Sequence, residues 1–236
     1  MTVNIYKDAE ELTTAAAEWI TDQIRITLKH SPRFTIALSG GNTPKQLFAK
    51  LASDSFSQKI DWSKLHIFWG DERVVPFTDK RNNANMAFSE LLSKVAVPEN
   101  QIHVMRTDIP PNESALEYEK ILHEYFDDEK TSFNLVLLGL GEDGHTLSLF
   151  PGIELPSAID KWVTSIYVSA QNMSRITLLP SIVNKAVSTA FMVTGEAKAK
   201  IVHEILHSDN SYPAKLIQPA DGGLYWFLDE AAAIVK

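Results

Sequence analysis

The chain has 236 residues, a formal net charge of −8 at pH 7 and no cysteine. The lack of cysteine excludes disulfides, thiolate metal sites and a cysteine nucleophile, and the acidic balance disfavours nucleic acid as a partner. Residues 1–8 have no signal-peptide pattern, and no apolar run reaches the ~20 residues of a membrane helix. We therefore expect a cytoplasmic protein that does not contact membranes, folded as one α/β domain over residues 1–236.

The N-terminal part predicts a helix and then a buried strand. From Asp8 to Leu28, apolar side chains recur at helical spacing, and Asp8 and Glu11 are placed like a capping box. The run from Phe34 to Leu38, which is apolar except for Thr35, predicts the first buried strand of the sheet.

The turn after this strand has the composition of an anion-binding site. It consists of Ser39, Gly40, Gly41, Asn42 and Thr43. Pro44 follows at the predicted first position of a helix. Free backbone N–H groups at a helix N-terminus, together with two hydroxyl groups, can hold a phosphate. An ordinary capped strand-to-helix loop explains the same residues equally well, so this turn alone does not establish an anion-binding site.

A second predicted strand, Leu65 to Trp69, also ends in polar residues. It is followed directly by Gly70, Asp71, Glu72 and Arg73. A surface turn with an Asp–Arg pair is the alternative, but two strand ends of the same design favour a site. Further along, residues 82–92 and 112–126 predict helices, and residues 102–105 predict a short strand.

The most informative stretch covers residues 134–152. The run Leu135 to Leu138 is typical of a strand buried on both faces of a parallel sheet. The glycines that follow allow a tight turn, which brings Asp143 and His145 to the carboxyl end of this strand. Ligands bind at that edge of open α/β sheets, so we predict the floor of the active site here. The pair Pro151–Gly152 is expected to end the next helix after about two turns.

The same turn matches the dinucleotide fingerprint G-x-G-x-x-G. The match consists of Gly139, Gly141 and Gly144, with Asp160 about twenty residues further on. Glu142 and Asp143 argue against NAD, because their carboxylates would repel a pyrophosphate at close range. The short helix predicted after the turn argues against it as well. A dehydrogenase is the alternative, which an NAD(H) titration can test.

The C-terminal part continues the alternation of strands and helices. Strands are predicted over residues 162–168, 175–179, 186–193 and 224–228. A helix is predicted from Gly195 to about Leu206, and His203 and His207 stand four residues apart along it. No third ligand accompanies them at motif spacing, so we expect no metal site. The alternation predicts an α/β fold with a single, doubly wound, largely parallel sheet flanked by helices.

The polar residues at the predicted strand ends indicate one type of chemistry. Histidine alone among them titrates near neutral pH, so His145 is the natural proton carrier and Asp143 can orient its ring. A glycine-rich turn with the cations Arg73, Arg175 and Lys198 suits a phosphorylated small molecule. Since the sequence has no P-loop, no G-x-S-x-G and no metal-ligand pattern, acid–base chemistry on a sugar phosphate is the hypothesis that remains.

Six short motifs follow one another between Phe34 and Ala232. They are S-G-G-N-T-P, G-D-E-R-V-V-P, G-L-G-E-D-G-H-T-L-S-L-F-P-G, S-R-I-T-L, G-E-A-K-A and L-Y-W-F-L-D. Together they resemble the 6-phosphogluconolactonase family. The resemblance implies the fold shared with glucosamine-6-phosphate deaminase and ribose-5-phosphate isomerase. It also implies a carboxylic ester hydrolase that converts 6-phospho-D-glucono-1,5-lactone to 6-phosphogluconate in the oxidative pentose phosphate pathway, without cofactor or metal.

The chain departs from the family's pattern in its loops. Residues 81–84 are Arg-Asn-Asn-Ala where the family usually has Asp-Ser-Asn and an aromatic residue, and residues 172–174 are Asn-Met-Ser where prolines are frequent. Asn42 and Leu147 replace the usual Ser and Ala. These changes leave the predicted proton carrier and the cations in place, and they leave the role of Asn83 open.

The residues and the resemblance together predict a mechanism. The phosphate lies on the turn formed by residues 40–43, with Arg175 and Lys198 as charge partners. His145 takes a proton from the water that attacks the lactone carbonyl and returns it to the departing ring oxygen. Arg73 stabilises either the developing oxyanion or the phosphate.

Ser39 and Asp71 complete the predicted substrate-binding set. The expected partner is a sugar-phosphate lactone, bound by a monomer or a weak homo-oligomer. Two alternatives share the fold: a glucosamine-6-phosphate deaminase that uses Asp71 as its base, and a non-catalytic sensor of sugar phosphates. Ammonia release or binding without turnover would distinguish them from a lactonase.

Overall fold

The structure is a computed structural model that describes residues 1–156 and 161–234. Its strands are β1 (Thr2–Tyr6), β2 (Phe34–Leu38), β3 (Leu65–Trp69), β4 (Asp71–Arg73), β5 (Leu135–Leu138), β6 (Val163–Val168), β7 (Met173–Leu178), β8 (Ser188–Val193) and β9 (Gly223–Asp229). Its α-helices are α1 (Ala9–Thr27), α2 (Asn42–Leu51), α3 (Asp54–Ser57), α4 (Asn83–Ala87), α5 (Pro111–Phe126), α6 (Pro180–Val183), α7 (Ala199–His207) and α8 (Glu230–Ala233). Asp160, named above for the dinucleotide fingerprint, lies outside the described residues.

Six strands form a fully parallel sheet in the order β1-β9-β8-β5-β2-β3. Helices connect them, as parallel strands require. The loops that leave β2, β3, β5 and β8 all start from the same edge, because the carboxyl ends of parallel strands meet there. The largely parallel α/β sheet predicted from the sequence is confirmed. None of the helices described here has both the length and the apolar character needed to cross a membrane.

The centre of this sheet is buried on both faces, and β5 shows it most directly. Leu135 and Leu137 pack into one hydrophobic cluster, which includes residues of α1 and α2. Val136 and Leu138 pack into the other, which includes residues of α5 and α7. All four side chains are at most 1% exposed. A strand with two buried faces has no polar alternation, which explains the uniform run in the sequence.

A second sheet, of three antiparallel strands, was not predicted, so the expectation of a single sheet was wrong. Its order is β4-β7-β6. Strands β6 and β7 are joined by a tight connection over residues 169–172, in which Asn172 has a φ of 47°. So short a connection permits only antiparallel pairing, since a parallel crossover needs about a dozen residues. Strand β4 follows β3 after Gly70 and pairs with β7, which brings Arg73 opposite Arg175.

Three further expectations differ from the structure. Strand β1 was not predicted, because this edge strand leaves Val3 and Ile5 exposed and shows no buried run. Residues 102–105 form only a single bridge, from Ile102 to Ile67, and not a strand. Residues 145–150 form no helix, contrary to the prediction. A turn at residues 147–148 is closed by a bridge from Thr146 to Leu149, and Leu147 has a φ of 54°, which a right-handed helix does not contain.

A cluster of two histidines and one tyrosine lies beside β3, outside the cavity described below. The Tyr125 hydroxyl is 2.7 Å from His66 Nδ1 and 2.8 Å from His103 Nε2. The His103 ring also stacks on Phe68, with ring centroids 4.7 Å apart. Burial, followed by the charge of His66, lowers the pKa of His103 to about 4. The folded protein therefore holds this ring neutral at pH values where the unfolded chain protonates it.

This cluster predicts a loss of stability in acid. The stability contributed by a histidine with a lowered pKa is present when the pH is above the pKa of the unfolded chain, near 6.5. It is lost as the pH falls towards 4. From pH 7 to pH 4, the free energy of unfolding of the parent minus that of His103→Phe should fall by about 1–2 kcal/mol. This value is discounted because the ring is partly exposed. Urea unfolding at both pH values measures it. His30→Phe, at an exposed position, is the control and should differ from the parent by the same amount at both.

Candidate active site

The carboxyl edge of the parallel sheet borders a cavity of about 430 Å³. Ten of the eleven residues predicted from the sequence line it: Ser39, Gly40, Gly41, Asn42, Thr43, Asp71, Arg73, His145, Arg175 and Lys198. The eleventh, Asp143, contacts His145. Loops from four strands therefore converge on one place, as expected where a doubly wound sheet binds its ligand.

His145 is held by a carboxylate on one side and an aromatic ring on the other. Its Nδ1 lies 2.5 Å from Asp143 Oδ1, and its backbone N–H donates to the same oxygen at 3.1 Å. Its ring stacks on Phe150, with centroids 4.2 Å apart. An Nδ1–H that donates to the carboxylate leaves Nε2 as the basic nitrogen. This is the arrangement of an oriented general base.

Asp143 is ionised in this pair. Burial raises the pKa of its carboxyl group, but hydrogen bonds from the backbone and ring of His145 outweigh that effect and leave the pKa lowered. An anion next to Nδ1 favours the tautomer with the proton on that atom, and it stabilises the imidazolium formed when Nε2 takes a proton.

The loop that carries His145 is shaped by close backbone approach. A Cβ atom at Gly141 would lie 2.0 Å from His145 Nδ1, so glycine is required there for the ring to occupy its position. The Gly141 N–H donates to the His145 carbonyl oxygen at 2.8 Å, which closes the turn. The Thr146 hydroxyl donates to the Gly139 carbonyl oxygen at 2.8 Å. These bonds fix the imidazole to the end of β5.

The glycine-rich turn lies across the cavity and leads into α2. Gly41 precedes the helix with a φ of 104°, a conformation that favours glycine. The sequence predicted Pro44 at the first position of the helix, but it is the third residue of α2. The Thr43 hydroxyl lies 2.9 Å from that of Thr194, which follows β8. The first backbone N–H groups of a helix have no partner within it, so this end can accept an anion.

Two arginines lie opposite each other on the paired strands β4 and β7. Arg73 donates from Nη1 to Asn83 Oδ1 at 2.5 Å and to the Arg81 carbonyl oxygen at 2.9 Å. Arg175 lies with Nη1 3.6 Å from Asp71 Oδ2 and its guanidinium 5.4 Å from the centre of the Phe150 ring. Burial lowers the pKa of Arg175, and Arg73 nearby adds to this, while Asp71 opposes it.

Lys198 adds a third cation from a different side of the cavity. Its Nζ is 3.9 Å from Glu142 Oε1, and 24% of the side chain is exposed. The cavity therefore combines three cations with a helix N-terminus and one oriented imidazole. Such a set can bind an anionic group while a proton is moved elsewhere on the same molecule.

Comparison with known proteins agrees with this geometry. A model of the family described as glucosamine-6-phosphate isomerases/6-phosphogluconolactonase matches residues 7–226. The chain belongs to this family. A 6-phosphogluconolactonase of Nostoc sp. (strain PCC 7120) is 37% identical over 238 residues, which cover 98% of this chain and 96% of the relative.

Solved structures show the same relationship. The 6-phosphogluconolactonase of Thermotoga maritima has a TM-score of 0.84 at 26% identity, covering 97% of this chain and 99% of the other. A monomeric glucosamine-6-phosphate deaminase also has a TM-score of 0.84, at 17% identity and 99% coverage of both chains. The second likeness concerns the fold alone, and it confirms the deaminase-like fold that the sequence motifs implied.

Within this family fold, Asp71 is occupied by protein groups. It is 5% exposed. Its Oδ2 accepts the Ser148 hydroxyl at 2.5 Å and lies near Arg175. The carboxylate lines the cavity, as predicted, but it is already bound to the side chains of Ser148 and Arg175. That is a poor arrangement for the free base which a deaminase would need.

Sequence reasoning assigned no site role to several residues that shape the cavity. They are Glu72, Ser148, Phe150 and Gln171, and Asn83, whose role was left open. Phe150 lies under both His145 and Arg175, and the Gln171 side chain accepts from Arg175 Nη2. Phe150 and Ser148 belong to the motif that carries His145, so their position in that motif was the available signal. Gln171 gave none, since its contact depends on the turn between β6 and β7.

Neither a metal site nor a dinucleotide site is found in the part of the chain that the structure describes. No group of three or more potential metal ligands comes together there, and His203 and His207 lie near each other on α7. The turn with Gly139 and Gly144 leads into residues 145–150, which form no helix. A dinucleotide phosphate would thus lack the helix N-terminus that the fingerprint normally supplies.

Proposed function

We propose that the protein hydrolyses 6-phospho-D-glucono-1,5-lactone to 6-phosphogluconate, the second step of the oxidative pentose phosphate pathway. One observation carries the proposal: the His145–Asp143 pair lies on the same cavity as the glycine-rich turn and three cations. The family and its lactonase relatives support the choice of substrate.

The proposed reaction begins with the phosphate of the substrate on the turn formed by residues 40–43. Ser39 directly precedes this turn, and Lys198 and Arg175 line the same cavity and contribute charge. The N–H groups at the start of α2 support this placement, since they favour an anion. The binding set fixes one end of the substrate and leaves the lactone ring to reach the imidazole.

At the other end, His145 Nε2 takes a proton from water as the water oxygen bonds to the lactone carbonyl carbon. The tetrahedral intermediate then loses its bond to the ring oxygen, which receives the proton back from Nε2. Asp143 keeps the ring oriented, and Arg73 stabilises the negative charge on the former carbonyl oxygen or on the phosphate. General base catalysis of this kind contributes about 10²–10⁴-fold, and a lactone is an activated ester that needs little more.

The direct test measures hydrolysis of the phosphorylated lactone above its spontaneous rate. Ammonia release from glucosamine 6-phosphate is measured with the same preparation. Lactone turnover without ammonia release supports the proposal, whereas ammonia release without lactone turnover would replace it with a deaminase. Binding of the sugar phosphate with no turnover would indicate a sensor.

Lys198 is expected to act on the phosphate. The variant Lys198→Met should lower kcat/KM for the phosphorylated lactone by about 10-fold or more, mainly through KM, because a charged hydrogen bond contributes about 1.5–3 kcal/mol. Hydrolysis of unphosphorylated gluconolactone should change little. Lys200→Met is the matched control, since Lys200 lies two residues further on, in α7, with 86% of its side chain exposed. Equal losses with both lactones would contradict a phosphate contact.

The remaining predictions concern the setting of the enzyme. A cytoplasmic location, a monomer or weak homo-oligomer, the absence of a nucleic-acid partner and a single domain over residues 1–236 stay predictions from the sequence. The acidic net charge of −8 supports the absence of a nucleic-acid partner. Light scattering and sedimentation measure the oligomeric state directly.

A further inference from the structure

Glu72 is a buried carboxylate next to the cavity that the proposed reaction does not use. It lies on β4 between Asp71 and Arg73, and its side chain is directed to the other face of the strand, since successive side chains alternate. Asp71 and Arg73 line the cavity, whereas Glu72 does not. The residue is 1% exposed. A charged group buried this deeply needs a structural or functional reason.

Its two oxygens accept three backbone N–H groups. Oε1 accepts from Arg73 at 2.8 Å and from Asn83 at 2.7 Å, and Oε2 accepts from Ala84 at 2.8 Å. Asn83 and Ala84 are the first two residues of α4. The next free N–H group of this helix, on Asn85, is bound by the side chain of Asn82 at 2.8 Å. Glu72 thus fixes the start of α4 to β4 across a sequence separation of eleven and twelve residues.

The first residue of α4 reaches back into the cavity. The Asn83 side chain donates from Nδ2 to the Asp71 carbonyl oxygen at 3.0 Å and accepts Arg73 Nη1 at Oδ1. It also fills the space over Gly40, where an added Cβ atom would lie 1.8 Å from Asn83 Oδ1. Asn83 is itself 1% exposed. Its position therefore determines where the Arg73 guanidinium lies and how closely the glycine-rich turn approaches.

We propose that Glu72 is a positioning residue, which holds Asn83 in place through the start of α4. Through Asn83 it fixes the positions of the Arg73 guanidinium and of the glycine-rich turn at the cavity. Its kinetic consequence rests on the proposed function. Its structural consequence, the coupling of Glu72 to Asn83 and Arg73, does not.

The charge state of Glu72 gives this coupling a pH dependence. Burial raises its pKa to about 7, opposed by hydrogen bonds from the N–H groups of Asn83, Ala84 and Arg73, and Asp71 raises it further. The other ionisable groups facing it are Arg175 on β7 and Tyr118 on α5. A proton on one oxygen turns an acceptor into a donor, so one N–H of α4 loses its partner. The arrangement should be tightest above neutral pH.

The variant Glu72→Gln tests the proposal through a pH profile. Its amide NH₂ would face a backbone N–H donor, so the start of α4 should shift. We expect kcat/KM for the phosphorylated lactone to fall about 10-fold or more at pH 8. The ratio of kcat/KM between parent and variant should shrink towards pH 6. There Glu72 of the parent is protonated and, like the glutamine, presents a donor in place of one acceptor. A ratio that does not change with pH would overturn the proposal.

A matched control separates positioning from general damage to the fold. Glu119 also accepts two backbone N–H groups, those of Trp162 at 2.5 Å and Val163 at 3.0 Å, but outside the cavity. Glu119→Gln should leave kcat/KM and its pH profile unchanged. The double variant Glu72→Gln with Asn83→Ala should be no slower than Asn83→Ala alone, because Glu72 acts through the Asn83 side chain, which the second change removes. Effects that multiply would contradict action through Asn83.

A spectroscopic measurement on the parent needs neither a variant nor activity. The side-chain N–H signals of Arg73 and Asn83, followed by NMR from pH 5 to pH 9, should shift together with one midpoint near the pKa of Glu72, about 7. Signals that do not move in this range would overturn the inference. If they shift together and the protein shows no lactone hydrolysis, the proposed function fails while the positioning role of Glu72 stands.

Discussion

The variant His145→Ala should lose about 10²–10⁴-fold in kcat for the lactone, because it removes the only imidazole on the cavity within the described residues. The fold should persist, since this side chain belongs to a loop and 27% of it is exposed. Hydrolysis is measured above the spontaneous rate, with circular dichroism to confirm folding. The substrate should still bind, so KM should change far less than kcat.

A second histidine in the chain provides the control. His123 also has Nδ1 close to a carboxylate, 2.6 Å from Asp127 Oδ1, and its ring stacks on Trp162 with centroids 4.1 Å apart. It has the same local arrangement as His145 but lies outside the cavity. His123→Ala should therefore retain full activity. If His145→Ala retains it as well, the base must be sought elsewhere.

The variant Gly141→Ala should lower activity almost as far without removing the imidazole. Its new Cβ atom would lie 2.0 Å from His145 Nδ1 and 2.5 Å from Asp143 Oδ1, so the pair must separate or the ring must turn away. A displacement of about 1 Å from productive geometry can cost about 10²-fold in rate. Steady-state kinetics measures the loss, and the shift of the imidazole can be followed by NMR.

Gly139→Ala is the matched control in the same turn. The nearest atom to its added Cβ atom is Ser39 Oγ at 3.7 Å, an ordinary contact distance. Neither Gly139 nor Gly141 has a positive φ, so backbone strain does not distinguish them. Gly139→Ala should keep activity within about 3-fold of the parent. Equal losses in both variants would mean that the turn as a whole, and not the place of the imidazole, is sensitive.

Phe150 connects the two halves of the proposed chemistry. The Phe150 ring stacks on His145 and also lies near the Arg175 guanidinium. Through Arg175 the contact continues to Asp71 and Ser148. The proposed base and Arg175 are therefore parts of one packed unit, which explains how these residues, distant in sequence, keep a fixed geometry at the cavity.

Much of the parallel sheet was predictable from the sequence because its signals are local. The run from Leu135 to Leu138 is uniformly apolar, and the run from Phe34 to Leu38 is apolar except for Thr35. Both are strands with buried residues on each face. The cap at Asp8 accepts the N–H groups of Glu10 and Glu11, as a capping residue should. Each of these features depends only on neighbours a few residues away.

The location of the candidate site was predictable for a related reason. In a parallel sheet the carboxyl ends of the strands meet, so polar residues after separate strands come together whichever strand order is used. This places Ser39 to Thr43, Arg73, His145 and Lys198 on one cavity without knowledge of the register. Three of the family motifs lie at this edge as well: S-G-G-N-T-P follows β2, the motif with His145 follows β5, and G-E-A-K-A follows β8.

The tertiary structure alone decided which side chains touch one another. The opposition of Arg73 and Arg175 requires β4 to pair with β7 in one register, and a shift of one residue would turn every side chain to the other face. The contact of Glu72 with Asn83 likewise depends on how α4 packs against β4. Strand register and helix packing follow from the free energy of long-range contacts, which a local pattern of residues does not contain. The sequence thus determined the chemistry present at the sheet edge, and the tertiary contacts determined its geometry.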